Sequence, residues 1–160
     1  MKRTGLLILV GFLFPGYLPA SWLSSTRTLR VNIEVTVGEH SMDSNSTTRV
    51  ITIIGDRMTY AKSFHGRRGP GQKDFSRDIH LRGSQREALI QLVNRRSLSG
   101  SRTIDDPITG AGRYFTFEMR SELDKKKSSI KVSGPVTAFQ NEDIYKDITA
   151  LLEEIEALVD

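Results

Sequence analysis

The chain has 160 residues, 38% of them apolar and 26% charged, with no cysteine, a balance that suits one folded domain and excludes thiol catalysis, cysteine-ligated zinc and dithiol redox chemistry. The net charge is +4 and divides unevenly: residues 21–104 carry 14 Lys and Arg against 7 Asp and Glu, whereas residues 105–160 carry 7 against 12. Part of the pI near 9.5 comes from Lys2 and Arg3 at the start, so the asymmetry reads as attraction between two halves of one domain and not as a nucleic-acid footprint.

Lys2 and Arg3, an apolar run over 5–14, and then Pro15, Gly16 and Pro19 ahead of Ala20 follow the order of a secretory signal peptide. Residues 1–20 are expected to be that signal. Leu18 is bulky for the third position before a cleavage point, so ends anywhere over 20–25 stay open, and a single domain follows over 26–160. The alternative is an uncleaved anchor, because no charge occurs between Arg3 and Arg27 and the apolar stretch approaches the roughly 20 residues of a membrane span. Either way the positive start stays inside and the domain is expected outside the cytoplasm, periplasmic or secreted. No cysteine follows the run, which excludes a lipid-modified N-terminus. A domain of this size buries about two-thirds of the surface of its unfolded chain and can stand without disulfides.

Alternation then predicts the elements. Leu29, Val31, Ile33, Val35 and Val37 alternate with polar residues and predict a strand with one wet face. After a polar loop over 38–48, strands over 49–54 and 57–64 flank Gly55-Asp56, a two-residue hairpin turn. A glycine-rich loop, HGRRGPGQ, leads to a fourth strand over 73–81 with Phe75, Ile79 and Leu81 on its inner face. Ser84 and Glu87 have the spacing of a capping box for a helix running to about Arg96, with Ala88, Leu89, Leu92 and Val93 on its apolar side. Residues 98–112 read as an irregular connection. Strands over 113–120 and 127–133 follow, joined at 123–126. Asn141 is the expected cap of a last helix, whose stripe is Ile144, Ile148, Leu151, Leu152, Ile155 and Val159.

The predicted fold class is therefore α+β: a six-stranded, mainly antiparallel sheet with two helices on one face, in the order ββββαββα, the other face open to solvent or a partner.

Candidate sites are few. His40, His65 and His80 lack ligand spacing and read as surface residues, no nucleophile elbow surrounds Ser84 or Ser97, and no cofactor is indicated. Asp105 and Asp106 are the adjacent carboxylates of a glycine-bearing segment, where an Asp-Asp-Pro turn competes with an ion or general-base role. Asn45-Ser46-Thr47 fits a glycosylation acceptor. Arg67 and Arg68, among three glycines, and Lys125, Lys126 and Lys127, on a second hairpin, are the candidate contacts for an anion or a partner. Their ordinary reading is solubilising charge on loop tips. Aromatics are not interleaved with these cations, which argues against single-stranded nucleic acid.

Ser84-Gln85-Arg86-Glu87, the strand Arg113-Tyr114-Phe115-Thr116-Phe117, Ile130-Lys131-Val132 and the terminal helix resemble small exported bacterial domains, among them emfourin-type protein inhibitors of metalloproteases. The similarity covers about 81–159, and the chain departs from it in two extra strands and a long N-terminal stretch. It implies a binding protein, with no binding residue to carry over. The leading expectation is a non-catalytic exported domain that binds a protein or cell-envelope partner, through the open sheet face or the Arg67/Arg68 loop. An anion or polyanion binder using Arg67, Arg68 and Lys125, Lys126 and Lys127 is one alternative, and an enzyme of unrecognised type is the other.

Overall fold

Alternating β-branched residues make β1 (Leu29–His40) the centre strand. Leu29, Val31, Ile33 and Val35 are buried on one face, while Arg30, Asn32 and Glu34 are exposed on the other. The computed structural model describes residues 28–40, 45–67, 72–107 and 112–160, so the expected signal over 1–20, its cleavage region and Arg68 lie outside the described residues. β2 (Ser46–Ile54) and β3 (Arg57–His65) form the predicted hairpin, with Gly55 at φ 64° supplying the left-handed turn residue. β4 (Phe75–His80) adds an edge. The chain then crosses under the sheet through α1 (Gly83–Val93) and a 3-10 turn (Arg96–Leu98) to β5 (Ser101–Asp105) at the far edge. β6 (Gly112–Leu123) and β7 (Lys126–Pro135) make a second hairpin, and α2 (Val136–Phe139) and α3 (Asp143–Val159) end the chain.

The fold is α+β; among the described residues it has seven strands in the order β4-β3-β2-β1-β6-β7-β5 and three helices. One core unites the buried faces of the strands with Leu89, Ile90 and Val93 of α1 and with Ile144, Ile148, Leu151, Ile155 and Val159 of α3. Each fully buried aliphatic or aromatic side chain contributes about 1.5–3 kcal/mol, which is the source of stability open to a chain without cysteine.

Several expectations are corrected. The count of six strands and two helices misses β5 and the one-turn α2. Residues 101–105 are a strand because their backbone pairs in parallel with β7, from Ser101↔Ser129 to Asp105↔Ser133, so the sheet is mixed. Only Ile104 of this edge strand is even half-buried, hence no apolar alternation announces it. The polar loop at 38–48 is shorter than expected, since β1 and β2 stay paired out to Gly38↔Ser46. Helix α1 starts at Gly83, and Gln85, not Glu87, makes the reciprocal bond: the Arg82 N–H donates to Gln85 Oε1 at 2.8 Å. It stops at Val93, and Ile90 takes the buried place expected of Ala88. Glu142, not Asn141, precedes the first turn of α3. Phe75 is 43% exposed, because its end of the edge strand runs beyond the helices; its ring stacks on Tyr60 with centroids 5.6 Å apart.

Among the described residues no helix is long and apolar enough to cross a membrane.

Candidate functional site

The core-facing side of the sheet is longer than the helices that cover it. Parity shows where the cover ends. On β2 the inward series runs Ile53, Ile51, Arg49, Thr47; on β3 it runs Met58, Tyr60, Lys62, Phe64; on β6 it runs Met119, Phe117, Phe115, Arg113. Each strand thus replaces an apolar inward residue with a cation toward the end where β1 passes to β2 and β3 to β4. These inward cations sit where solvent reaches them, as an unpaired charge deeper in the core would carry a large desolvation cost.

There, Arg49, Arg67 and Arg113 line one cleft of about 420 Å³ together with His65, Asn45 and Thr47. No carboxylate is among the described residues that line it. Two side chains fix the surrounding loop: Asn45 Oδ1 accepts from the Arg67 N–H at 2.7 Å, and Asp74 Oδ1 accepts from the Phe64 N–H at 2.8 Å. The Arg67 backbone is therefore held against the start of β2. Lys62 places its ammonium 5.3 Å from the centre of the Phe64 ring, a cation–π contact on the cleft's flank.

Arg49 is the anchor of the group. Its Nε lies 2.7 Å from Glu156 Oε1 of α3, and its side chain is only 20% exposed. The alignment falls short of a directed hydrogen bond, so the contact acts as a charge pairing. Burial pushes the Tyr60 phenol above the ordinary tyrosine value, with Arg49 partly opposing that rise. A second, smaller hollow of about 250 Å³ continues past Arg49 and Arg113 beneath α3, where Glu153 and Glu156 supply negative charge. The arginines thus stand between a carboxylate-bearing hollow and an open cationic cleft.

Of the residues singled out in the sequence, Arg67, His65 and the Asn45-Ser46-Thr47 triplet line this cleft, and Arg68 is outside the described residues. Lys125, Lys126 and Lys127 do not join them. Lys125 sits in the β6–β7 turn at the opposite end of the sheet, where Asp124 and Lys125 have φ of 49° and 70°, and Lys126 and Lys127 begin β7 beside it. From Lys126 to Pro135 is nine residue steps along β7, about 30 Å at about 3.3 Å per residue, so one small anion cannot touch both cationic groups. The Asp105 carboxylate has a structural partner, with Ser133 Oγ donating to its Oδ1 at 2.5 Å, and the backbone of Asp106 is tied to the same residue, its N–H donating to the Ser133 carbonyl at 2.9 Å. His80 lies 3.6 Å from Asp56 at the β2–β3 turn, far from His65 in the sheet. Ser97 donates to Asp147, which also accepts from Arg95 Nη1 at 2.5 Å, a tie between the 3-10 turn and α3. Among the described residues no group of three metal-ligating side chains forms.

Arg49 and Arg113 were missed as site residues. The signal was present: each falls on the inward parity of its strand, where an apolar residue was due.

Compared with known proteins, the chain matches no family model and no curated sequence.

Proposed function

We propose that this protein is an exported, non-catalytic binding domain that takes an anionic group of a protein or cell-envelope partner in the cleft of Arg49, Arg67 and Arg113. One observation carries the reading: three guanidinium groups from separate stretches of chain line one concavity, and no described lining residue is a carboxylate. Guanidinium is the side chain best matched to carboxylate, phosphate and sulfate, because its planar fork offers paired donors and keeps its charge at any physiological pH. The resemblance of residues 81–159 to emfourin-type inhibitors supports a protein partner and a role without catalysis. The signal-like start supports a place outside the cytoplasm.

The test is binding to immobilised heparin as a model polyanion across a salt series. Affinity is expected to fall steeply with salt, by about one order of magnitude or more between 50 and 200 mM. An Arg67→Ala/Arg113→Ala variant should lose most of that binding, while Lys125→Ala/Lys126→Ala/Lys127→Ala should keep it. Unchanged binding in the first variant, or loss only in the second, would move the site to the other end of the sheet.

A further inference from the structure

β5 lies outermost in the sheet, beyond β7, and its backbone bonds alternate. The Gly100 carbonyl accepts from the Ser129 N–H at 2.7 Å, and the Asp106 N–H donates to the Ser133 carbonyl at 2.9 Å, so the even-numbered residues of this stretch face β7. By the same alternation the N–H and C=O groups of Ser101, Thr103 and Asp105 point away from the sheet. Among the described residues none of these groups has a backbone partner. An outward row of this kind is a template for one more strand.

Beside that row, on the covered face of the sheet, a hollow of about 660 Å³ opens between β5 and the first turn of α3. Arg102 and Ile104, which share the inward parity of Ile130 and Val132 on β7, form its sheet side, and Arg96, Glu142 and Lys146 stand around it. These charges differ in what they have left to bind. Asp147 is held by Ser97 and Arg95, and Asp143 Oδ1 lies 3.5 Å from Lys146 Nζ. Among the described residues neither Arg96 nor Arg102 has an ion-pair partner, which leaves two guanidinium groups against the carboxylate of Glu142. A charge set on the inward parity of an edge strand deters pairing with other strands. Arg102 relaxes that guard for a strand that brings it a carboxylate.

We propose that β5 accepts an extended acidic segment of a partner protein as an added antiparallel strand, its carboxylate side chains alternating into the hollow toward Arg96 and Arg102. Main-chain bonds to Ser101, Thr103 and Asp105 supply affinity, and the hollow supplies selectivity. A second copy of this chain pairing through β5 would bring a second Arg102 to the same face, a like charge where an opposite one fits. The site is separate from the arginine cleft and does not rest on anion binding there.

The probe is a short fluorescein-labelled peptide alternating valine and glutamate, titrated into the purified protein and followed by anisotropy. It is expected to bind saturably, and its counterpart with lysine in place of glutamate should bind several-fold more weakly. In an antiparallel pair the residues opposite Ser101, Thr103 and Asp105 carry their side chains on the open face, so the valine N–H groups reach β5 while the glutamates enter the hollow. N-methylation of the valines should therefore abolish binding, and N-methylation of the glutamates should spare it. Arg102→Glu should reverse the preference between the two peptides. Thr103→Pro removes one outward donor without touching the bonds to β7, so it should weaken binding several-fold at an unchanged urea midpoint; if that variant fails to fold, the methylated peptides decide alone. Arg67→Ala/Arg113→Ala should bind the peptide as the wild type does. Three results would overturn the inference: no binding of the glutamate peptide or equal binding of the lysine one, binding indifferent to valine methylation, or a protein mass that rises with concentration and falls in Thr103→Pro, which would make a second copy the occupant.

Discussion

Asp147 shows how one carboxylate couples two parts of the chain. It accepts hydrogen bonds from Ser97 and from Arg95, so the 3-10 turn is pinned to the first half of α3. Burial opposes its ionisation, but the Ser97 and Arg95 hydrogen bonds and the Arg95 charge outweigh burial and hold its carboxyl below the ordinary value. A lowered folded-state value means the unfolded chain binds the proton more readily. The associated stability is therefore complete above the ordinary aspartate value near 3.8 and is lost as pH falls through the lower folded value. Asp147→Asn is expected to cost about 1–2 kcal/mol at neutral pH, modest because Arg95 is 45% exposed. The gap between wild type and variant should close in acid, as read from urea unfolding at pH 7 and near pH 2.5. A gap of constant size would remove the carboxylate from the account.

At the scale of elements, the joint between β7, β5 and α2 turns on Gly134. Its φ is 148°, and an added Cβ would lie 2.8 Å from the Asp106 carbonyl oxygen and 2.9 Å from the Phe139 ring. Gly55 also has positive φ but open space around it. Gly134→Ala is accordingly expected to cost about 2–4 kcal/mol, backbone strain plus overpacking, against about 1–2 kcal/mol for Gly55→Ala. Chemical unfolding midpoints of the two variants check the order, and equal costs would mean that the joint relaxes freely.

The same joint explains what the sequence could and could not announce. Strands β1, β2, β3, β6 and β7 were legible because half-burial writes a period of two into their residues, and α3 because burial of one stripe writes a period near four. β5 was illegible because an edge strand held by backbone pairing to β7 leaves no such mark. α2 is too short to show a period at all. Phe75 was assigned to the core on parity alone, and parity does not tell where the covering helices stop. The cleft was half-legible for the same reason: the loop cation Arg67 stood out among glycines, whereas Arg49 and Arg113 were hidden as interruptions of otherwise apolar strand faces.

In the whole molecule, charge asymmetry and architecture meet. The basic first half and the acidic last helix are joined by Arg49–Glu156 and Arg95–Asp147, two ion pairs that cross between the halves. Glu156 pairs with Arg49 from the helix side, and the cleft side, lined also by Arg67 and Arg113, has no carboxylate among its described residues. The sheet thus offers a cationic cleft at the end of its covered face.

The claim on which the rest depends is that this cleft is a site for anions. A two-dimensional NMR titration with a heparin oligosaccharide, following backbone amides and arginine Nε–H groups, tests it most directly. The account predicts saturable shifts at Arg49, Arg67 and Arg113, with the Asn45 and His65 amides moving alongside and Lys125, Lys126 and Lys127 remaining still. Shifts confined to the β6–β7 turn, or spread evenly over every exposed cation without saturation, would contradict it.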